Sequence, residues 1–245
     1  MLTEIHVHKG KLVAFLCMSG VLLAWHAFLP KPKLALRLFW FEVGFTSFWL
    51  VAVYYMGFVD RAFPFKYDTI LEGLDARWLF DAAVCRRLIE SSPGLREATD
   101  ATYLGLKNVV IFWYGWHAAT DSRPKRFLLS LLLAYAVGPL FYMLVPAYGP
   151  HILTGKLPNC MPSLHMATAL LMVAYRPKGG LIPALVFTIA TAFVTLATGQ
   201  HYVIDLVAAL PFFGFVWAVM ERRWIVAGCM LATVTCFVMA IHLLA

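Results

Sequence analysis

The sequence predicts an all-α protein, a polytopic membrane helix bundle with about eight spans, and three observations support that prediction. Of the 245 residues, 62% are hydrophobic and 13% are charged, whereas average proteins contain about 25% charged residues. The apolar residues fall in runs near or above the length of about 18 residues that crosses a bilayer. Tryptophan and tyrosine lie near several ends of these runs, as in an interfacial belt. We therefore expect residues 1–245 to form a single integral membrane domain.

The candidate spans share an apolar composition and are separated by polar or turn-forming residues. In chain order they are residues 12–29, 38–59, 103–119, 127–148, 162–175, 181–198, 203–220 and 224–244. The fifth is the shortest. The first follows a polar leader, so together they also have the form of a signal peptide. Because this run is long and no small-residue cleavage site follows it, we interpret it as a span.

Basic residues in the loops predict the orientation of the bundle, because cytoplasmic loops of membrane proteins are enriched in lysine and arginine. One side of the predicted bundle carries Lys31, Lys33, Arg37, Arg123, Lys125, Arg126, Arg176, Lys178, Arg222 and Arg223. We assign that side to the cytoplasm. The net charge of +7 then reflects orientation, and because the basic residues form no single patch we expect no nucleic-acid partner.

Residues 60–102 form a long segment outside the membrane, on the extracytoplasmic side. They contain eight of the thirteen acidic residues, and apolar residues recur among the charges at helical spacing. This pattern predicts short amphipathic helices on the membrane surface. Such a segment would serve either as a lid or lateral access path for lipid, or as a surface cap. The sequence also leaves open whether Cys85 of this segment pairs with Cys160.

A histidine and an aspartate open the seventh span. His201 and Asp205 are four residues apart and therefore share one face of a helix. Asp205 would lie about one turn inside an apolar environment, where ionisable residues are costly and are candidates for function. A carboxylate that orients a histidine is also an arrangement of nucleophilic catalysis. The alternative is that the pair caps the helix among lipid headgroups.

A second motif, Ser163 and His165, opens the fifth span from the same side. One histidine could attack and form a covalent intermediate, while the other protonates the leaving oxygen. Phosphoryl transfer suits this division, and Ser163 with the first amides of the span could hold phosphate oxygens. His151 and Lys156 precede the motif and could supply positive charge. Neither a metal-binding spacing of cysteines nor a His-Glu-x-x-His motif occurs, so we expect no metal.

The pattern Pro162-Ser-Leu-His165 followed by His201-x-x-x-Asp205, with one span between, resembles the type-2 phosphatidic acid phosphatase superfamily. The resemblance implies a six-span core, to which residues 103–220 contribute most, and chemistry on lipid phosphates without a metal or another cofactor. It also implies that His201 is the nucleophile that becomes phosphohistidine, that Asp205 orients it, and that His165 is the general acid.

The sequence departs from the superfamily at its cationic positions. Those phosphatases carry a lysine and an arginine where this chain has Tyr142 and Gly149, and Ser-Arg where it has Val194 and Thr195. Leu164 replaces the usual glycine of the serine-histidine motif. A phosphate monoester is nearly a dianion and needs several positive partners, whereas a diester carries one charge and needs fewer. The departures therefore favour a diester substrate.

The Pro-Ser-Leu-His and Gln-His-Tyr pattern is similar to the inositol phosphorylceramide synthase (aureobasidin-resistance) branch, whose members move a phospho-headgroup from one lipid to another alcohol. We therefore predict a membrane-embedded phosphotransferase with a phospholipid donor and an alcohol or lipid acceptor. Its candidate substrate-binding residues are Ser163, His151, Lys156, Gln200 and Tyr202.

Two other functions are compatible with the sequence. The first is a lipid phosphate phosphatase acting on a phosphatidic acid-like or polyprenyl phosphate substrate. It would share the attack by His201, with water resolving the intermediate. The second is a proton-coupled transporter, in which Asp205 and the histidines relay protons. The clustering of these residues at one membrane face disfavours a transporter, because a transport path should also have ionisable groups at mid-depth.

Overall fold

The computed structural model describes residues 32–63, 66–78, 83–120, 124–150 and 161–245. The regular structure in these residues is helical, without strands, which confirms the all-α prediction. In chain order the helices are α1 (Pro32–Ala62), α2 (Asp68–Trp78), α3 (Ala83–Glu90), α4 (Pro93–Thr120), α5 (Pro124–Leu144), α6 (Leu164–Ala174), α7 (Leu181–Ala197), α8 (Val203–Met220) and α9 (Trp224–Leu244). The chain divides after residue 52 into two compact units, and helices α2 to α9 belong to the second. The predicted first span, residues 12–29, lies outside the described residues.

Three of the described helices, α5, α8 and α9, are long and apolar enough to cross a bilayer. Helices α6 and α7 are also apolar but shorter, with 11 and 17 residues. Large apolar side chains are exposed on the outer faces, for example Ile182 of α7 and Ile225 of α9, as expected of surfaces that contact lipid. The structure is therefore a polytopic helical bundle of an integral membrane protein.

Two helices are shorter than the apolar runs predict, and local chemistry explains both differences. Helix α5 ends at Leu144 rather than at residue 148, since Pro146 has no amide hydrogen with which to continue the helix. Helix α6 begins at Leu164 rather than at residue 162, because the Ser163 side chain caps its first turn. In both cases the residues left outside the helix form the loops of the candidate site.

Helix α8 lies at the centre of the second unit, where it packs against α5, α6 and α9. Its side chains Ala208, Ala209, Phe212 and Val216 are completely buried, and the small residues among them allow close helix approach. Helix α5 approaches the start of α6 in the same way, because a Cβ at Gly138 would collide with the side chain of Leu164. The first turns of α6 and α8 are thereby held in the interior of the bundle.

Helices α2 and α3, from the segment 60–102, pack over the ends of the apolar helices. Cys85 and Ile89 of α3 join a buried cluster with Leu196, Ala197 and Leu206, at the end of α7 and the start of α8. Cys85 is a buried free thiol, and Cys160 lies outside the described residues.

Candidate active site

His201 and Asp205 lie together in the interior, with 1% and 0% of their surfaces exposed. The His201 Nδ1 atom is 3.4 Å from Asp205 Oδ2, slightly beyond normal hydrogen-bond length. The same oxygen accepts a hydrogen bond of 2.8 Å from the Tyr202 amide, in a capping arrangement at the start of α8. Asp205 therefore caps the start of α8 and also faces the histidine.

His165 meets His201 at the start of α6. The centroids of the two imidazole rings are 5.8 Å apart, and the ring of Tyr103 from α4 lies 5.0 Å from the His165 ring on another side. A backbone hydrogen bond of 3.1 Å from the Ser163 amide to the Asp205 carbonyl joins the two motifs directly. The structure thus brings Ser163, His165, His201 and Asp205 into one site.

Ser163 is completely buried and forms the N-cap of α6. Its Oγ atom accepts a hydrogen bond of 3.3 Å from the Met166 amide. The hydroxyl hydrogen is not used by this cap, because the oxygen is the acceptor. Ser163 can therefore donate to an anionic oxygen placed at the helix N-terminus, where the aligned amides also favour negative charge.

The loop that carries His201 closes tightly on the end of α7. The Thr195 carbonyl accepts hydrogen bonds from the Gln200 and His201 amides, at 3.0 and 3.4 Å. Thr195 is fully buried, and its own hydroxyl donates to the Thr191 carbonyl at 2.8 Å. Val194 is also buried. These two positions, where the resemblance leads one to expect Ser-Arg, are therefore packed against the protein rather than offering a cation.

The other candidate substrate-binding residues differ in their burial and in their contacts. Gln200 is partly exposed beside His201. Tyr202 is buried, and its hydroxyl donates to the Asp68 carboxylate at 3.0 Å. His151 and Lys156 lie outside the described residues.

Gly149 lies against the backbone of the histidine loop. Its φ angle is +94°, and a Cβ there would lie 2.7 Å from the carbonyl oxygens of both Gly199 and Gln200. No side chain fits such a gap, and a positive φ is costly for residues other than glycine. This close contact explains why a glycine occupies a position where the resemblance leads one to expect a cation.

We expect Gly149→Ala to reduce stability more than the matched variant Gly179→Ala. Gly179 also has a positive φ, of +77°, but a Cβ there would meet nothing within 4 Å. Both variants incur backbone strain, whereas only the first adds a collision with carbonyl oxygens, worth about 1–3 kcal/mol. The midpoints of thermal unfolding in detergent, measured side by side, check this. Equal shifts would show that the loop moves away without cost.

Residues 153–219 match the family model described as the PAP2 superfamily. The matched region contains Ser163, His165, His201 and Asp205. No curated protein and no solved structure matches the chain. The chain is therefore similar to that superfamily over the region that contains both histidine motifs.

Proposed function

We propose, with the PAP2 superfamily match as the premise, that this protein is a phosphotransferase that moves a phospho-headgroup from a phospholipid to an alcohol acceptor. The observation that carries the proposal is the meeting of two histidine rings, 5.8 Å apart, at the starts of two apolar helices. A carboxylate 3.4 Å from one of these rings completes the arrangement. The distribution of basic loop residues supports an extracytoplasmic position for this site.

In the first step, His201 attacks the phosphorus of the donor lipid. Its Nδ1 faces Asp205, so Nε2, which has no hydrogen-bond partner among the described residues, is the attacking atom. The P–N bond forms while the bond from phosphorus to the diacylglycerol oxygen breaks. Protonated His165 gives its proton to that oxygen, and the negative charge of Asp205 stabilises the positive charge that develops on the His201 ring.

In the second step, the acceptor hydroxyl attacks the phosphorus of the phosphohistidine. His165, now neutral, removes the hydroxyl proton, the P–N bond breaks, and His201 returns to its initial state. Water in place of the alcohol would give hydrolysis instead. The burial of His201 and Asp205 supports an acceptor that arrives from the apolar phase, because a closed site excludes competing water.

The side chains at the superfamily's cationic positions support a diester donor. Tyr142, Val194 and Thr195 are all buried, and none of them carries a charge. Gly149 has no side chain. A diester, with one negative charge, places a smaller electrostatic demand on such a site than a monoester, which carries nearly two. Transfer between lipids therefore fits the site better than hydrolysis of a phosphatidic acid-like monoester.

A donor phospholipid with different isotopes at phosphorus and in the acyl chains tests the proposal. The purified protein, in detergent, is incubated with the donor alone and with ceramide, diacylglycerol or inositol as acceptor. We expect the phosphorus label, but not the acyl label, to bind to the protein without acceptor and to move into a new product when an acceptor is added.

The same assay separates the alternatives. Release of inorganic phosphate from phosphatidic acid, with no acceptor-dependent product from the diester, would make the protein a phosphatase. No movement of label from any donor would exclude both reactions and favour the transporter. A catalytically silent double variant, His165→Ala with His201→Ala, provides the background for each measurement.

A further inference from the structure

Helix α2 supplies two carboxylates that bind the loop carrying His201. Neither carboxylate belongs to a residue that takes part in the proposed chemistry. Asp68 and Asp75 are seven residues apart, two helical turns, and therefore share one face of α2. Leu71, between them on that face, is fully buried, and Asp75 is 5% exposed. This is the opposite of a solvated amphipathic surface, where the acidic residues would point to water.

Asp75 binds the first amides of α8. Its Oδ2 atom accepts a hydrogen bond of 2.5 Å from the Val203 amide, and its Oδ1 atom one of 2.9 Å from the Ile204 amide. The first amides of any helix lack partners within the helix, and here a residue distant in sequence satisfies two of them. Asp205 satisfies the preceding amide, that of Tyr202. Three successive amides beside His201 are thus held by two carboxylates.

Asp68 holds the loops on the other side. Its Oδ1 atom accepts hydrogen bonds from the Tyr148 amide at 2.9 Å, the Gly149 amide at 3.0 Å and the Tyr202 hydroxyl at 3.0 Å. Tyr202, which follows His201, is thereby tied through one carboxylate to the loop that packs on the backbone of Gly199 and Gln200. Asp60 accepts a further hydrogen bond from the Tyr148 hydroxyl.

We propose that Asp68 and Asp75 are positioning residues that fix the His201 loop between them, so that the imidazole stands in line with the phosphorus. This inference rests on the proposed function, because His201 must be the nucleophile for its position to control the rate. It assigns the amphipathic segment a place in the active site, instead of a role as a passive surface cap.

The electrostatics of Asp75 indicate that its charge is retained at a cost to stability. Burial raises the pKa of Asp75 to about 6 from an ordinary value of 3.8, and the negative charge of Asp205 adds to the rise, although the two amide hydrogen bonds oppose it. Asp205 is the charged group that faces Asp75 from α8. Helix α9 also packs against α2. Its residue His242 is hydrogen-bonded to the Tyr67 hydroxyl, and residue 67 lies about 12 Å from residue 75 along the axis of α2.

A raised carboxyl pKa means that the folded protein binds more protons than the unfolded chain between about pH 4 and pH 6. The contribution of Asp75 to stability therefore falls as the pH rises through that window and is least favourable above pH 6. A neutral side chain at this position removes that electrostatic penalty at pH 7, while the loss of one amide hydrogen bond opposes the gain in stability. Positioning therefore predicts a loss of kcat that a loss of folded protein does not account for.

We expect Asp75→Asn to reduce kcat per folded molecule for phospho-headgroup transfer at pH 7 at least tenfold, with KM changed less than threefold and only a small change in the thermal unfolding midpoint. The side-chain oxygen of asparagine can accept a hydrogen bond from only one of the two amides, so the loop loses its fixed position. The residue stays neutral and keeps one hydrogen bond to the helix. Glu72→Gln is the matched control, because Glu72 is an exposed carboxylate on the same helix, and it should retain the wild-type kcat.

A lower unfolding midpoint accompanied by a proportional loss of folded protein would overturn the proposal in favour of a structural role. Wild-type kcat in Asp75→Asn would overturn it as well. Tyr202→Phe provides a second test, since it removes the hydroxyl that donates to Asp68 and should also reduce kcat without a change in KM. If the wild-type protein itself transfers no label, the proposed function has failed, and the positioning role that rests on it is overturned as well.

Discussion

His201→Ala is expected to reduce transfer below about one part in 10³ of the wild-type rate and to abolish binding of phosphorus label to the protein. The substitution removes the atom that forms the P–N bond, and the proposed mechanism uses His165, the other imidazole of the site, for proton transfer rather than for attack. A loss of 10³ corresponds to about 4 kcal/mol of transition-state stabilisation. The rate of product formation, and the label retained on protein after rapid denaturation in alkali, provide the two measurements.

His117→Gln is the matched control for the loss of a buried histidine. His117 is 1% exposed and stacks on Phe127 with 5.3 Å between ring centroids. It lies fourteen residues along α4 from Tyr103, and hence about 21 Å from the level of His165 and His201. We expect the activity of His117→Gln per folded molecule to stay within a few-fold of the wild type. Label retained by His201→Ala at the wild-type level would show that another residue is the nucleophile.

The meeting of the two histidines could be predicted from the sequence. His165 and His201 open spans that start from the same side, with a single span between them, so a compact bundle brings their ends close together. Helical periodicity placed His201 and Asp205 on one helix face, but His201 lies in the loop two residues before the first residue of α8, and Asp205 faces it from the first turn of that helix. These inferences need only side-chain identity, span length and the alternation of direction between successive helices, all of which the sequence contains.

The role of Asp68 and Asp75 could not be predicted in the same way. Their partners are mostly backbone amides, at Tyr148, Gly149, Val203 and Ile204. Every residue except proline carries such an amide, so no pattern of residue types in the sequence reveals which amides a carboxylate will bind. In the sequence the two carboxylates therefore resemble the solvated charges of an amphipathic helix, and only the fold shows that they are turned inward.

The structure also explains why one of the expected cations is absent, at Gly149. From the sequence alone, glycine at that position indicates only that a charge has been lost. The structure adds that the positive φ and the two nearby carbonyl oxygens leave no room for any side chain. Restoring an arginine there would displace the loop that Asp68 holds. The proposed diester preference and the close packing of the loop that carries His201 are therefore linked through one residue.

His165→Gln is expected to slow transfer from a natural phospholipid donor by about 10²–10⁴, the usual contribution of a general acid. The diacylglycerol oxygen is a strong base as it leaves, and without a proton from His165 it departs slowly. A nitrophenyl phosphodiester has a leaving group that is stable as an anion, so its first step needs no acid. We expect the same variant to release nitrophenol from that donor at a rate within about tenfold of the wild type in the first turnover.

The second step of transfer provides a further test of the same variant, because His165 then serves as the base that activates the acceptor hydroxyl. In His165→Gln the nitrophenyl donor should give a burst of about one nitrophenol per active site, followed by slow turnover as phosphohistidine accumulates. Stopped-flow absorbance measures the burst, and the labelled protein measures the intermediate. Equal losses on both donors, without a burst, would mean that His165 acts by holding His201 rather than by moving protons, since a positioning defect cannot depend on the basicity of the leaving group.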